Sequence, residues 1–345
     1  MTLLSEISEQ PERIESLLSS RREFVEKIAG EIRKRDIQYV FLAARGTSDN
    51  AGRYANYLLG AMNGLPLALA TPSLFTYYKQ PPKLKNALVM GISQSGQSPD
   101  IVSVLEEGKR QNCLTLAVTN KPNSPLAQAS DFVFDIQAGE ERAVAATKTY
   151  TTELMSIAML SAALSGNKAR WNELNKVAGW MKSTLRQDGY IAQASQRYRY
   201  MDQTVVLGRG FNYATAFEWA LKLKELAYVK AEPYSSADFQ HGPIAMLESG
   251  FPVLAVVPKG RVFTPMFQML KKLREDFSAE LVVISNDNKA QKLAQMPLGI
   301  PADIPEWLSP LVSILPAQLF AYYLTVAKGY NTEHPRSIRK VTETK

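Results

Sequence analysis

The sequence predicts an α/β protein of two tandem doubly wound parallel-sheet lobes, nucleotide-fold-like in pattern, with a helical N-terminal segment and a C-terminal tail. Three observations predict it. The chain has 345 residues, more than one hydrophobic core usually organises. Short runs of consecutive apolar residues alternate with helical stretches, the pattern of strands buried on both faces of a parallel sheet. The succession then repeats in the second half, the mark of a duplicated unit.

Taken in order, residues 8–32 carry charges with Ile14, Leu17, Leu18, Phe24, Val25 and Ile28 at helical spacing, which predicts an amphipathic helix. This stretch makes up most of the helical segment, 1–29. The first lobe, 30–172, has strands at Tyr39 to Ala43, Ala87 to Ile92, Leu114 to Val118 and Phe132 to Ile136. A helical linker, 173–196, leads to the second lobe, 197–330. There Val205 to Gly208 precedes a long helix, Ala214 to Val229, and Val253 to Val257 and Leu281 to Asn286 supply further strands. The last of these mirrors Leu116 to Asn120. The tail, 331–345, is polar, and Pro335 argues against a continuing helix.

A hydrophobic fraction of 46% with 21% charged residues is that of a globular protein. Cys113 is the one cysteine and sits in an apolar run, so it reads as a buried structural thiol in a reducing compartment. The first residues lack the basic, apolar and small-residue succession of an export signal. The longest apolar tract, Leu308 to Ala327, contains Pro310, Pro316, Gln318 and two tyrosines, which reads as a buried helix rather than a membrane span. A cytoplasmic protein with no membrane partner is expected. The formal charge of +7 suits an anionic ligand, but the cations are scattered and form no basic run interleaved with aromatics, so no nucleic-acid partner is expected. Two histidines and one cysteine make no metal cluster. Neither metal nor organic cofactor is expected.

The most informative segment is Ser93-Gln94-Ser95-Gly96-Gln97-Ser98. It directly follows a predicted central strand and precedes a helix predicted over Ile101 to Asn112, with Ser98 as N-cap, Pro99 at the first turn and Asp100 close behind. Open parallel sheets bind ligands beyond the carboxyl ends of their strands, and a helix start offers free amides and a positive dipole to an anion. Hydroxyls, an amide side chain and backbone donors thus converge on one point, with Gly96 free to take a left-handed turn. Gly46-Thr47-Ser48, after the first strand, adds two hydroxyls to the same rim. No P-loop lysine signature or Gly-x-Gly-x-x-Gly is present, which counts against a nucleoside triphosphate or a dinucleotide. In the second lobe the equivalent loop reads Pro258-Lys259-Gly260-Arg261-Val262, without serines, so one phosphate per chain is expected.

Gly46-Thr47-Ser48 paired with Ser93-Gln94-Ser95-Gly96 in a duplicated lobe resembles the sugar isomerase (SIS) domain family. More narrowly, the chain is similar to the isomerase half of glucosamine-6-phosphate synthase and to the glucosamine-6-phosphate deaminases of the same fold. The resemblance extends from Glu9-Gln10-Pro11 through Val144 to Lys148, Ala220 to Glu225 and His241-Gly242-Pro243 to Pro335-Arg336. It implies that Thr47, Ser48, Ser93, Gln94, Ser95 and Ser98 hold the phosphate of an amino sugar phosphate. It further implies that Glu225 moves a proton between carbons 1 and 2, with Lys222 in the same site, and that His241 opens the sugar ring from across a homodimer interface. Lys340 would close over the sugar, and Val144, Ala146 and Arg336 would contact it.

Moving a carbon-bound proton beside a carbonyl or imine needs a nearby base and donors for the charge that develops. Lys222 and Glu225, three apart on one helix, share a face; on spacing alone they read as a surface ion pair, with Lys224 pointing elsewhere. Two departures from the family bear on the reaction. The synthases use an N-terminal cysteine to take ammonia from glutamine, whereas position 2 is Thr2. Hydrolytic deamination of glucosamine 6-phosphate to fructose 6-phosphate and ammonia, without a glutaminase domain, is therefore the expectation. Ala146 stands where synthases carry a serine, which leaves the choice of amino sugar open. An aldose-ketose phosphosugar isomerase, a deglycase of a sugar-amine phosphate and a non-catalytic phosphosugar sensor are the alternatives.

Overall fold

In the computed structural model, which describes residues 2–340, the chain forms two parallel five-stranded sheets. Tyr39–Ala43 (β1), Leu67–Leu69 (β2), Ala87–Ile92 (β3), Leu114–Thr119 (β4) and Phe132–Asp135 (β5) build the first, in the order β2-β1-β3-β4-β5. Gln203–Gly208 (β6), Lys230–Ser235 (β7), Pro252–Val256 (β8), Glu280–Ser285 (β9) and Met296–Gly299 (β10) build the second, in the order β10-β9-β8-β6-β7. Read from the other edge, this is the same order, so the duplication expected from sequence is present. Both sheets reverse direction of winding at their first and third strands, β1/β3 and β6/β8. Ligands of doubly wound sheets bind at that switch point, beyond the carboxyl ends of the two strands.

The central strands are buried throughout, as their unbroken apolar runs require. β3 and β4 have no exposed residue, and Val89 pairs with Thr115 in parallel register. Three of the four edge strands, β2, β7 and β10, escaped the sequence reading, whereas the edge strand β5 falls in the apolar run expected at Phe132 to Ile136. β2 is three residues long and half exposed. β7 alternates polar residues and contains Pro233, which an edge strand tolerates because it lacks one ladder partner. In the second lobe Val205, Leu207, Val253, Ala255, Leu281 and Val283 pack with Met266, Leu270 and Leu273 of the helix Phe263–Glu275. In the first, Val89, Ala117 and Phe41 pack with Val104 and Leu105 of the helix Pro99–Arg110. Cys113 lies in that core, its Sγ 2.8 Å from the Leu84 carbonyl, and burial pushes its thiol pKa up.

The first helix runs Leu3–Lys34, beyond the amphipathic stretch at both ends; Pro11 falls inside it. The linker is a succession of helices, Lys168–Leu174, Val177–Leu185 and Asp188–Ser195. The apolar tract forms the helix Ser309–Ala327, buried on nearly all sides, which explains a composition apolar all round. Glu306–Ala327 is the one described helical stretch long and apolar enough to cross a membrane, and 78% of it is buried within the protein. The chain divides into two compact units. One holds Glu12–Glu141, Lys148–Lys176 and the tail from Arg339; the other holds the chain start to Pro11, Arg142–Thr147 and Val177–Ile338. Of the expected tail 331–345, residues 341–345 lie outside the described residues, as does residue 1 of the expected segment 1–29.

Candidate active site

The residues singled out in the sequence fall into two groups, one in each unit. In the first unit the loop 93–98 leaves β3 and enters the helix Pro99–Arg110. Its shape is set from within and from below. Ser93 is buried; its N–H donates to the Val118 carbonyl and its Oγ accepts from the Gly96 N–H at 3.1 Å. The Gln94 carbonyl accepts from the Asn120 N–H, and Ser95 Oγ accepts from the Gln97 N–H at 3.3 Å. Gly96 adopts φ of +61°, and a Cβ there would lie 2.0 Å from Ser124 Oγ, so both backbone sign and space demand glycine. Gln94, Ser95 and Ser98 are half-buried. Ser98 occupies the N-cap position, but its side chain makes no capping hydrogen bond, contrary to the expectation from sequence.

The second rim, Gly46-Thr47-Ser48, begins the helix Gly46–Asn63. It is fastened to the helix that follows the serine loop by Arg45, whose Nε donates to Asp100 Oδ2 at 2.8 Å; the Asp100 side chain is 1% exposed. Thr47 is half-buried. Ser48 is buried, and its hydroxyl donates to Glu153 Oε1 at 2.8 Å, so its proton is engaged by the protein. Lys340 is tied down in the same unit: its Nζ donates to Glu141 Oε2 at 2.6 Å, and that buried carboxylate also accepts from the N–H and hydroxyl of Thr149.

In the second unit the helix Tyr213–Leu226, next after β6, carries Glu218, Lys222 and Glu225. Lys222 is 1% exposed, with Nζ 3.3 Å from Glu218 Oε1 and 2.5 Å from Glu225 Oε2. Burial penalises the ammonium, but the two carboxylates outweigh that penalty and raise its pKa above the ordinary lysine value. The pair is therefore not a surface ion pair. Glu218 is fully buried, whereas Glu225 keeps a quarter of its side chain exposed, so one carboxylate anchors the ammonium and the other is presented outward. Lys224 is exposed, as expected.

Val144 and Ala146, both half-buried, lie in the segment Arg142–Thr147 of this unit. The segment is gripped by Glu6, a fully buried carboxylate of the first helix that accepts from the N–H groups of Arg142 and Ala143 at 2.6 and 3.3 Å. His241 is exposed on the turn after the helix Ser236–Gln240, next to Gly242 with φ of +132°. Arg336 stacks its guanidinium over the rings of Tyr228 and Tyr330, 4.3 and 4.9 Å from their centroids, and its N–H donates to the Tyr228 hydroxyl.

Sequence reasoning missed Glu6, Glu141, Glu153, Glu218, Arg45 and Asp100's partnership with it. Glu218 was legible, since it stands one turn before Lys222. Glu6, Glu141 and Glu153 have partners far away in the chain, and no local pattern announces them. Replacing Gly96 with alanine should distort the loop at a cost of about 1–3 kcal/mol and weaken inorganic phosphate binding more than tenfold. Thermal unfolding and phosphate titration of Gly96→Ala check both, and unaltered phosphate affinity would contradict the role given to this loop.

The SIS domain model matches residues 33–163 and 199–328. The isomerizing glutamine-fructose-6-phosphate aminotransferase of Thermococcus kodakarensis is 31% identical over 347 residues, covering 98% of this chain and 57% of that protein. The chain thus spans little more than half the length of the curated relatives it matches. Among solved structures, the C-terminal domain of the glucosamine-fructose-6-phosphate aminotransferase of Francisella tularensis is similar with a TM-score of 0.87 and 29% identity, covering 96% of this chain and 97% of that one. A glucosamine-6-phosphate deaminase of Thermotoga maritima, at 20% identity and full coverage of both chains, shares the fold with a TM-score of 0.81. With a doubly wound sheet and a loop-bearing switch point in each half, the chain belongs to the SIS domain family.

Proposed function

We propose that the chain deaminates and isomerises glucosamine 6-phosphate to fructose 6-phosphate and ammonia. The observation that carries this reading is the set Glu218, Lys222 and Glu225: a buried ammonium clamped by one buried carboxylate and holding a second, partly open one in place at 2.5 Å. A carboxylate fixed in this way is suited to take a proton from carbon. Glu225 removes the proton from carbon 2 of the open-chain sugar and returns it to carbon 1, which converts the amine at carbon 2 to an imine. Water adds to the imine and ammonia leaves. The serine loop, with Thr47 and Ser48, receives the phosphate on backbone amides and hydroxyls at the start of the helix Pro99–Arg110. Val144, Ala146 and Arg336 contact the sugar, Lys340 closes over it, and His241 opens the ring from the partner subunit of a homodimer.

The resemblance to an aminotransferase domain supports the phosphosugar and the proton transfer. Water as the second reactant, in place of glutamine-derived ammonia, is the finer part of the proposal. The test is incubation of the purified chain with glucosamine 6-phosphate alone, reading ammonia and fructose 6-phosphate; equimolar formation of both is expected. No ammonia there, with interconversion of fructose and glucose 6-phosphates in a parallel incubation, would replace the deaminase by a plain isomerase, and binding without any product would make the chain a sensor. Mixing Glu225→Gln with His241→Asn chains should restore activity if His241 serves the neighbouring subunit, and no restoration would reject that assignment.

A further inference from the structure

The second lobe has its own switch point, and something already occupies it. Gly260 is the fourth residue past β8, as Gly96 is the fourth past β3. The loop it belongs to opens the 13-residue helix Phe263–Glu275 in the way the serine loop opens Pro99–Arg110. Beside it runs the loop after β6, where a Cβ on Gly210 would lie 3.5 Å from Val262. The amides of Arg261 and Val262 correspond to those that follow Gly96. Here they donate to a carboxylate of the chain itself: Arg261 N–H to Glu306 Oε2 at 2.8 Å and Val262 N–H to Oε1 at 3.5 Å. That carboxylate fills the space over Gly260, where a Cβ would stand 2.1 Å from Glu306 Cδ.

A second observation is independent of the helix start. Asn286, 7% exposed, accepts the Lys259 N–H on its Oδ1 at 2.7 Å, which seats its side chain against the loop. Its Nδ2 is buried and has no hydrogen-bond partner. The counterpart in the first lobe, Asn120, is used at both ends, donating to the Gly139 carbonyl and accepting from the Ala138 N–H. An orphaned buried donor calls for an acceptor, and the exposed cations Lys259 and Arg261 on the same loop make that acceptor an anion.

We infer that the loop 257–262 and Asn286 form a second oxyanion site, built for a tetrahedral anion such as inorganic phosphate, in which the Glu306 carboxylate serves as a built-in occupant. Phosphate enters there by displacing Glu306. The chain therefore takes one phosphate readily, on the serine loop, while the second lobe is held closed by its own carboxylate.

Equilibrium dialysis of the full chain with labelled inorganic phosphate tests this by stoichiometry. Glu306→Ala is expected to bind a second equivalent at least tenfold more tightly than the wild-type chain does, and adding Asn286→Leu is expected to remove it. A folded Glu306→Ala chain that binds no additional equivalent would overturn the proposal, as would a second equivalent insensitive to Asn286→Leu. If Glu306→Ala does not fold, the isosteric Glu306→Gln is used. Phosphate should then raise its melting temperature by more than it raises that of the wild type, and equal rises would count against the site. The first equivalent, which belongs to the serine loop, is counted separately, so failure of the proposed enzymatic function leaves this result readable.

Discussion

Lys222→Met is expected to destabilise the fold by about 3–5 kcal/mol and to abolish turnover. Lys222 is 1% exposed and Glu218 is fully buried, so removing the ammonium takes away the cation that faces this carboxylate in a low-dielectric interior. Breaking a buried ion pair from one side carries a cost of this size. The same reasoning predicts a rescue. Glu218→Leu combined with Lys222→Met removes both charges of the buried pair, and the double variant should recover much of the lost stability while staying inactive, because Glu225 has lost its anchor. Urea unfolding of the two singles and the double, read as a thermodynamic cycle, checks this. A loss below about 1 kcal/mol in Lys222→Met would show that the triad is not what holds this helix face.

The sign of the pH dependence follows from the direction of the lysine's shift. Its pKa is raised in the folded state, so the stabilisation from its charge is present in full below the unfolded value. It is lost only as pH climbs through the raised, folded-state value. The charge of Lys222 should thus contribute evenly across neutral pH and be lost in strong alkali.

Glu225→Gln is expected to lower ammonia release from glucosamine 6-phosphate by roughly 10²–10⁴-fold, with little change in stability. The two effects separate because Glu225 is the partly exposed member of the set, and Lys222 keeps Glu218 as a charged partner when Glu225 is neutralised. Phosphate affinity should also be kept, since the serine loop is built from the end of β3 and the start of Pro99–Arg110. A folded Glu225→Gln chain that binds phosphate normally but releases ammonia at the wild-type rate would remove Glu225 from the chemistry.

How much of this was legible in the sequence depends on the range of the interaction that fixes each feature. Central strands announced themselves, because burial on both faces leaves an apolar run such as Ala87 to Ile92. β2, β7 and β10 did not, for these edge strands are short or carry polar residues and prolines such as Pro233 and Pro297, whereas the edge strand β5 kept a readable apolar run. The serine loop was readable because its strand, turn glycine and helix start are contiguous. Lys222 and Glu225 were visible as a pair, but the burial of Lys222 was not, for this helix packs against β6, β7 and the helix Ser309–Ala327. Glu6, Glu141 and Glu153 reach the backbone of Arg142 and Ala143, the ammonium of Lys340 and the hydroxyl of Ser48 across long stretches of chain. Such tertiary hydrogen bonds leave no periodic trace. The Ser98 cap failed for the opposite reason: the local pattern was right for a cap, and the hydroxyl is nonetheless unused in capping.

The most direct measurement is proton NMR of the hydrogen on carbon 2 of glucosamine 6-phosphate during incubation with the wild-type chain and with Glu225→Gln. The signal should disappear at the rate at which ammonia is formed by the wild type and persist with the folded variant. Its disappearance at the same rate with the folded Glu225→Gln chain would contradict proton transfer from carbon by this carboxylate.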